Sequence, residues 1–297
     1  MRSVEFFCFW SGLAKRCVWA FLLIGLFPAT VAARNDAVLS VGVFPYLSTH
    51  VLLTTYEPLR TYLQRSIGQS VNIYTARNYS EYYFRAIKGD YDVAIFPPHL
   101  ALLAQREGGQ MAIARFSRIM HGVFVTTTES PITTLEDLRG VQLATPDSAS
   151  LVAILGVEQL QSLGLLPSRD YSWRPNVSHN SALLNLQRGS AQVALVANSA
   201  LDQIPPEQRA NIRVLAKTDS FPALVIMTRR NLPIKTRMAV QAALLKWHDR
   251  PDGRRAVGAL KFAEIVSIEA NELEPFNVYL QATRNALRKP IDETQRR

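Results

Sequence analysis

The chain has 297 residues, 33 Lys+Arg against 24 Asp+Glu, an apolar fraction of 48% and 2 cysteines. That length holds one large domain or two lobes, because single cores stop growing near roughly 250–300 residues, and the composition is neither disordered nor collagen-like. Both cysteines, Cys8 and Cys17, lie in the first segment, so the rest of the chain has no disulfide, thiolate metal site or cysteine nucleophile.

The N-terminus reads as an export signal. Arg2, Lys15 and Arg16 precede an uncharged run from Cys17 to Phe27, and small residues follow from Pro28 to Ala33. A basic start, a short apolar centre and a small-residue exit describe a secretory signal, and the run falls short of the roughly 20 residues a spanning helix needs. Cleavage after Ala33 is expected, which places the mature protein in the periplasm; an uncleaved anchor is the alternative. Loss of Arg2, Glu5, Lys15 and Arg16 leaves a net charge of +7. The remaining basic residues are scattered, with small groups at Arg229-Arg230, Arg254-Arg255 and Arg296-Arg297. A nucleic-acid binder clusters them with aromatics, so no nucleic-acid partner is expected. A mildly positive field suits a small anionic ligand or an anionic membrane surface.

Along the mature chain, Val38–Phe44 is apolar and β-branched and predicts a strand ending at Pro45. A helix is expected over Thr54–Ile67, closed by Gly68, then a strand at Ser70–Tyr74. Asn78 caps a predicted helix from Tyr79 to Lys88 that Gly89 closes. Tyr91–Phe96 reads as a buried strand and His99–Arg106 as a helix. Strand-like runs fill Met111–Thr128. Thr133 with Glu136 predicts a capping box and one helical turn before Gly140. Val141–Thr145, Trp173–Val177, Gln192–Ala197, Ile212–Ala216 and Ala223–Thr228 read as strands. Ser150–Leu163 and Ser181–Gln187 read as helices, as do Ile234–Trp247, Arg254–Glu264 and Glu274–Arg288.

Strand and helix therefore alternate in two series, which predicts an α/β protein of two open sheets. The expected organisation is residues 34–125 plus 221–297 as one lobe and 126–220 as the other, joined by two crossing strands. In open α/β sheets, ligands bind beyond the carboxyl ends of strands, where helices begin. Three such turns stand out: Phe44–Ser48, Pro97–Leu100 and Pro146–Ser150. The last is the best anion site, since helix-start N–H groups and the dipole converge there with the Ser148 and Ser150 hydroxyls. Simple capping by Asp147 or Ser148 is the alternative.

The order of several segments sharpens this. Tyr56–Leu63, Ala76–Tyr79, Gly89–Phe96 with Pro98, Ile132–Gly140, Pro146–Ser150 and Val177–Leu183 leading into Leu186–Gly189 together resemble the phosphonate/phosphite-binding components of ABC importers. These are bilobed periplasmic binding proteins of type II fold. The resemblance spans almost all of Val38–Thr228. It implies two α/β lobes closing over a small oxyanion, delivery to an ABC permease, and no catalysis. Together with the strand-end positions of His99 and His121, it places the expected ligand contacts at Tyr46, Tyr79, Pro98, His99, His121, Ser148, Ala149, Ser150 and His179. The chain departs from the family pattern at Ala101, Ala149, Leu151, Asn180 and Gln192. The alternatives are a sensing module that docks on a membrane signalling protein, or a scaffold with altered or lost specificity.

His99 and His121 sit near predicted strand ends and can donate to an anion when protonated. Arg115 and Arg118 precede the crossing strand and have the fork for bidentate anion contact, though an exposed face is the plainer reading. Tyr79, Tyr82 and Tyr83 open one helix, and at least one is expected to face water or the cleft. The five His never pair at metal spacing, and no GxSxG, GxxxxGK[ST] or GxGxxG occurs. No metal or cofactor is expected, and the protein is expected to be a monomer and not an enzyme.

Overall fold

The computed structural model describes residues 38–288. The expected export signal and the final arginine pair lie outside the described residues. Within them, β1 (Leu39–Val43) leads to α1 (Thr49–Ile67), β2 (Val71–Tyr74) to α2 (Tyr79–Lys88), and β3 (Val93–Phe96) to α3 (Pro98–Gly108). Then β4 (Met111–Phe116) runs almost directly into β5 (Ile119–Thr127). A second series follows: β6 (Gln142–Thr145), α4 (Leu151–Ser162), β7 (Ser172–Pro175), α5 (His179–Gln187), β8 (Val193–Ala197), the single turns α6 (Asn198–Leu201) and α7 (Pro206–Arg209), and β9 (Ile212–Pro222). The chain closes with β10 (Val225–Thr228), α8 (Ile234–Leu245), α9 (Pro251–Leu260), β11 (Ile265–Val266) and α10 (Leu280–Arg288).

These strands form two sheets, in the orders β11-β4-β10-β3-β1-β2 and β7-β6-β8-β5-β9. In the first, β1 pairs in parallel with β2 and β3, while β10 runs antiparallel to β3 and β4. In the second, β6 is parallel to β7 and β8, and β5 is antiparallel to β8 and β9. The chain passes from one sheet to the other between Phe116 and Ile119 and returns between Pro222 and Val225. The lobe borders expected at 125/126 and 220/221 fall inside β5 and β9, which both pair only within the second sheet. The fold is therefore α/β with two open sheets, and its C-terminal helices return to the first: α9 packs on α1, and α8 on β4. The short edge strand β11, absent from the expected elements, also joins the first sheet.

Helix ends follow the local chemistry. The Asn78 side chain accepts the Glu81 N–H at 2.8 Å, and Gly89 closes α2 with φ 95°, in the left-handed region glycine tolerates. Three details differ from expectation. Helix α1 starts five residues early, at Thr49, because Ser48 holds the cap position without a side-chain bond that would mark it. Before the 3₁₀ turn at Glu136–Leu138, Asp137 rather than Glu136 reaches back, its carboxylate accepting the Thr133 and Thr134 N–H groups at 2.9 and 3.0 Å. The last helical stretch is a 3₁₀ segment, Glu274–Tyr279, before α10.

The tyrosine run meets its expectation on the cleft side, at Tyr79, and not on the water side. Tyr79, Tyr82 and Tyr83 are all buried, because spacings of three and four residues fall on one helical stripe; Phe84 is the exposed aromatic. Each hydroxyl has its own setting. Tyr82 donates to the Gly42 carbonyl at 2.9 Å and accepts the Ile95 N–H at 3.0 Å, pinning α2 under β1 and β3. Tyr83 donates to Glu107 of α3 at 2.7 Å. One turn earlier, Tyr79 is thereby aimed past the strand ends.

Candidate ligand cleft

The carboxyl ends of β1, β3, β6 and β8 face a small cavity of about 40 Å³ between the two sheets. Residues from the starts of four helices line it: Tyr79 of α2, Pro97 ahead of α3, Ser150, Leu151 and Val152 at α4, and His179 of α5. A helix start carries N–H groups with no partner inside the helix and the positive end of the dipole. Four starts aimed at one space favour a negatively charged occupant without any cationic side chain.

The polar side chains there are donors. The Tyr79 hydroxyl is buried with no hydrogen-bond partner. Burial raises its pKa well above the ordinary tyrosine value, the Asp147 charge adds to this, and the adjacent Ser150 hydroxyl partly offsets it. The phenol is therefore neutral and holds its proton. His179 accepts the Ala197 N–H on Nδ1 at 3.1 Å. The neutral ring then carries its proton on Nε2, and burial pushes its pKa down to about 3, so it stays neutral. Ser150 and Ser199 add two hydroxyls.

Around these donors stands an apolar wall of Phe44, Met120, Leu151, Phe221, Leu224 and Phe262. Phe44 stacks on Tyr46 at a centroid distance of 4.8 Å and meets Tyr79 edge-on at 5.4 Å, which fixes both tyrosines.

Of the nine residues expected at the ligand, Tyr46, Tyr79, Ser150 and His179 line this cavity. His99, Ala149 and Pro98 stand behind it, buried and not among its lining residues. His99 Nε2 donates to the Ala149 carbonyl at 2.8 Å across the two sheets, and burial pushes its pKa down to about 4. It is a neutral bridge in a bond of its own, where the sequence reading had it donating to an anion as a protonated ring. Ser148 faces away into a groove of about 240 Å³ between α4 and α10, beside Trp173. His121 lies half-buried on β5 outside the cavity, with Lys217 and Arg118 near it; its neighbour Met120 is the lining residue. Arg115 pairs with Glu272, and Arg118 with Asp202, so neither guanidinium is spent on the cleft. Asp147 does more than cap: one carboxylate oxygen accepts the Ala149 N–H at 2.9 Å and the other the Tyr79 N–H at 3.3 Å.

Sequence reasoning missed Ser199, Phe221, Leu224 and Phe262. Ser199 was within reach, since it follows the end of β8 by the strand-end rule already applied to three other turns. Phe221, Leu224 and Phe262 enter through the return crossing and the end of α9, where no motif marks them.

A larger open groove of about 620 Å³ lies to one side, between the start of α1 and the outer face of α5. It is lined by exposed Ser48, Thr49 and Arg77 against Asn180, Ser181 and Gln208. The small cavity is the better candidate because the strand ends and the buried donors meet there, despite its size.

The profile of the family described as the periplasmic substrate-binding protein of phosphonate ABC transporters matches residues 41–273. The chain belongs to this family. As a member of the phosphonate-binding family it is a periplasmic solute-binding protein and not an enzyme. Its fold is similar to that of a phosphonate-transporter binding protein from Pseudomonas aeruginosa, at 17% identity over 86% of this chain and 90% of that one, with a TM-score of 0.77. PhnD1 from Prochlorococcus marinus, solved in complex with methylphosphonate, is similar at 14% identity over 84% and 98%, with a TM-score of 0.75. The alkanesulfonate-binding protein SsuA from Xanthomonas axonopodis pv. citri, bound to MOPS, is more distant at 15% identity over 85% and 95%, with a TM-score of 0.56.

Proposed function

We propose that this protein captures a small oxyanion of the phosphonate or phosphite type in the cavity between its two sheets and hands it to an ABC permease. It reaches the periplasm through a signal cleaved after Ala33 and works as a monomer. The two sheets act as lobes hinged at residues 117–118 and 223–224, and the ligand favours the closed form by its greater affinity for it. The observation that carries this reading is the buried, unpartnered Tyr79 hydroxyl, which faces the α4 start beside Ser150 and His179.

The cavity offers an oxyanion four neutral donors and four helix starts, and takes no proton from it. Binding by such a site is reversible and leaves the ligand chemically unchanged, as transport requires. The test is thermal unfolding of the purified exported protein with methylphosphonate, phosphite, phosphate or sulfate. A ligand at 100 times its dissociation constant adds roughly 2.7 kcal/mol of stability. No shift with any of the four overturns the reading.

A further inference from the structure

The cavity wall says which oxyanions fit. Apart from its hydroxyls and His179, the lining is hydrocarbon: Phe44, Met120, Leu151, Phe221, Leu224 and Phe262 among others. Among the described residues, no Lys, Arg, Asp or Glu lines it. Asp147 is the nearest buried carboxylate, and it stands behind the wall with both oxygens committed, one to the Ala149 N–H and one to the Tyr79 N–H. His179 cannot serve a cation either, because Nδ1 is occupied by the Ala197 N–H and Nε2 carries its proton. A ligand bound with its oxyanion on the helix starts therefore presents its substituent to aromatic and aliphatic surface. An ammonium group there meets neutral hydroxyls and ring faces but no carboxylate among the described lining residues, and a buried charge without an ionic partner is disfavoured.

Resting on the oxyanion reading above, we infer that the site selects oxyanions whose substituent is small and uncharged, such as hydrogen, methyl or ethyl, and rejects aminoalkyl analogues.

The test is isothermal titration of the purified exported protein with methylphosphonate, then with ethylphosphonate and aminomethylphosphonate. The last two are near-isosteres that differ in whether a methyl or an ammonium group ends the substituent. Methylphosphonate is expected to bind, and ethylphosphonate to bind at least tenfold more tightly than aminomethylphosphonate. Equal affinity for that pair, or preference for the amine, overturns the inference and leaves the oxyanion reading standing. Absence of binding by all three, with phosphite and phosphate also silent, overturns both.

Discussion

The Asp147 carboxylate of the second sheet's β6–α4 turn accepts the backbone N–H of Tyr79, at the start of α2 in the first, at 3.3 Å. Two further bonds cross at the same level: His99 Nε2 to the Ala149 carbonyl at 2.8 Å, and the His179 N–H to the Tyr46 carbonyl at 3.2 Å. Backbone groups at the starts of α2, α4 and α5 thus hold the two sheets together on the floor of the cleft. The donors above that floor are left to a ligand.

Replacing Asp147 separates its charge from its bonding. Burial raises its pKa, with the Ala149 and Tyr79 N–H groups opposing. Asp147→Ala strands two buried N–H groups and is expected to cost about 1–3 kcal/mol in urea unfolding. Asp147→Asn keeps an acceptor, sheds the buried charge and is expected to lose less than half as much. Equal losses would show that the carboxylate charge itself holds the turn.

The two serines of the turn are expected to part company. Ser150→Ala removes a donor from the cavity and should weaken methylphosphonate binding about tenfold, near 1.4 kcal/mol. Ser148→Ala changes a residue of the α4–α10 groove and should leave affinity within about twofold, an effect under roughly 0.5 kcal/mol. Titration calorimetry reads both. The reverse order would return the site to the position first expected from sequence.

Acid should loosen the unliganded protein through its two buried histidines. His99 and His179 have pKa values pushed down to about 4 and about 3 from 6.5 by burial. The unfolded chain then binds more protons below pH 6.5, so stability is full above that value and falls as pH drops toward the folded pKa values. For His99 the loss is on the order of 3 kcal/mol across that window. Asp147 works the other way: its raised pKa favours the folded state at low pH, and that contribution fades as pH rises through the folded value. His99→Gln, which retains a donor for the Ala149 carbonyl, should flatten the fall in melting temperature between pH 7 and pH 4. An unchanged slope would mean that His99 is not held neutral.

Helix α4 must lie close on its sheet to aim Ser150. A Cβ on Gly156 would meet Leu195 Cδ2 at 2.0 Å and Phe124 Cζ at 3.2 Å. Gly156→Ala is therefore expected to destabilise by about 1–3 kcal/mol, although alanine favours helix by about 1 kcal/mol. It should also weaken ligand binding by lifting the helix start. A stabilised variant in chemical denaturation would contradict this packing.

Much of the scaffold was legible because local chemistry and tertiary role agree. Asn78 and Gly89 bound α2 as their types dictate, and hydrophobic runs such as Val93–Phe96 and Val193–Ala197 are buried strands with a neighbour on each side. The strand-end rule pointed to the turns of Tyr46 and Ser150, the family resemblance pointed to Tyr79 and His179, and all four line the cavity. Ser148 lines the α4–α10 groove instead, because the direction of a turn's side chains depends on how the turn closes. Here the Ser150 N–H bonds the Asp147 carbonyl at 2.8 Å, which turns Ser148 outward and Ser150 in. His99 was read as a donor to an anion when protonated, but full burial holds it neutral, as it does His179. The apolar wall was invisible because Phe221 and Phe262 come from distant segments that only the folded chain brings together.

A crystal structure of the protein with methylphosphonate tests the central claim most directly. The phosphonate oxygens are expected within hydrogen-bonding distance, about 3.2 Å or less, of Ser150 Oγ, the Tyr79 hydroxyl and His179 Nε2, with the methyl group against Phe221 and Phe262. Ligand found instead beside Ser148 and Trp173, or in the groove between Thr49 and Asn180, would contradict it.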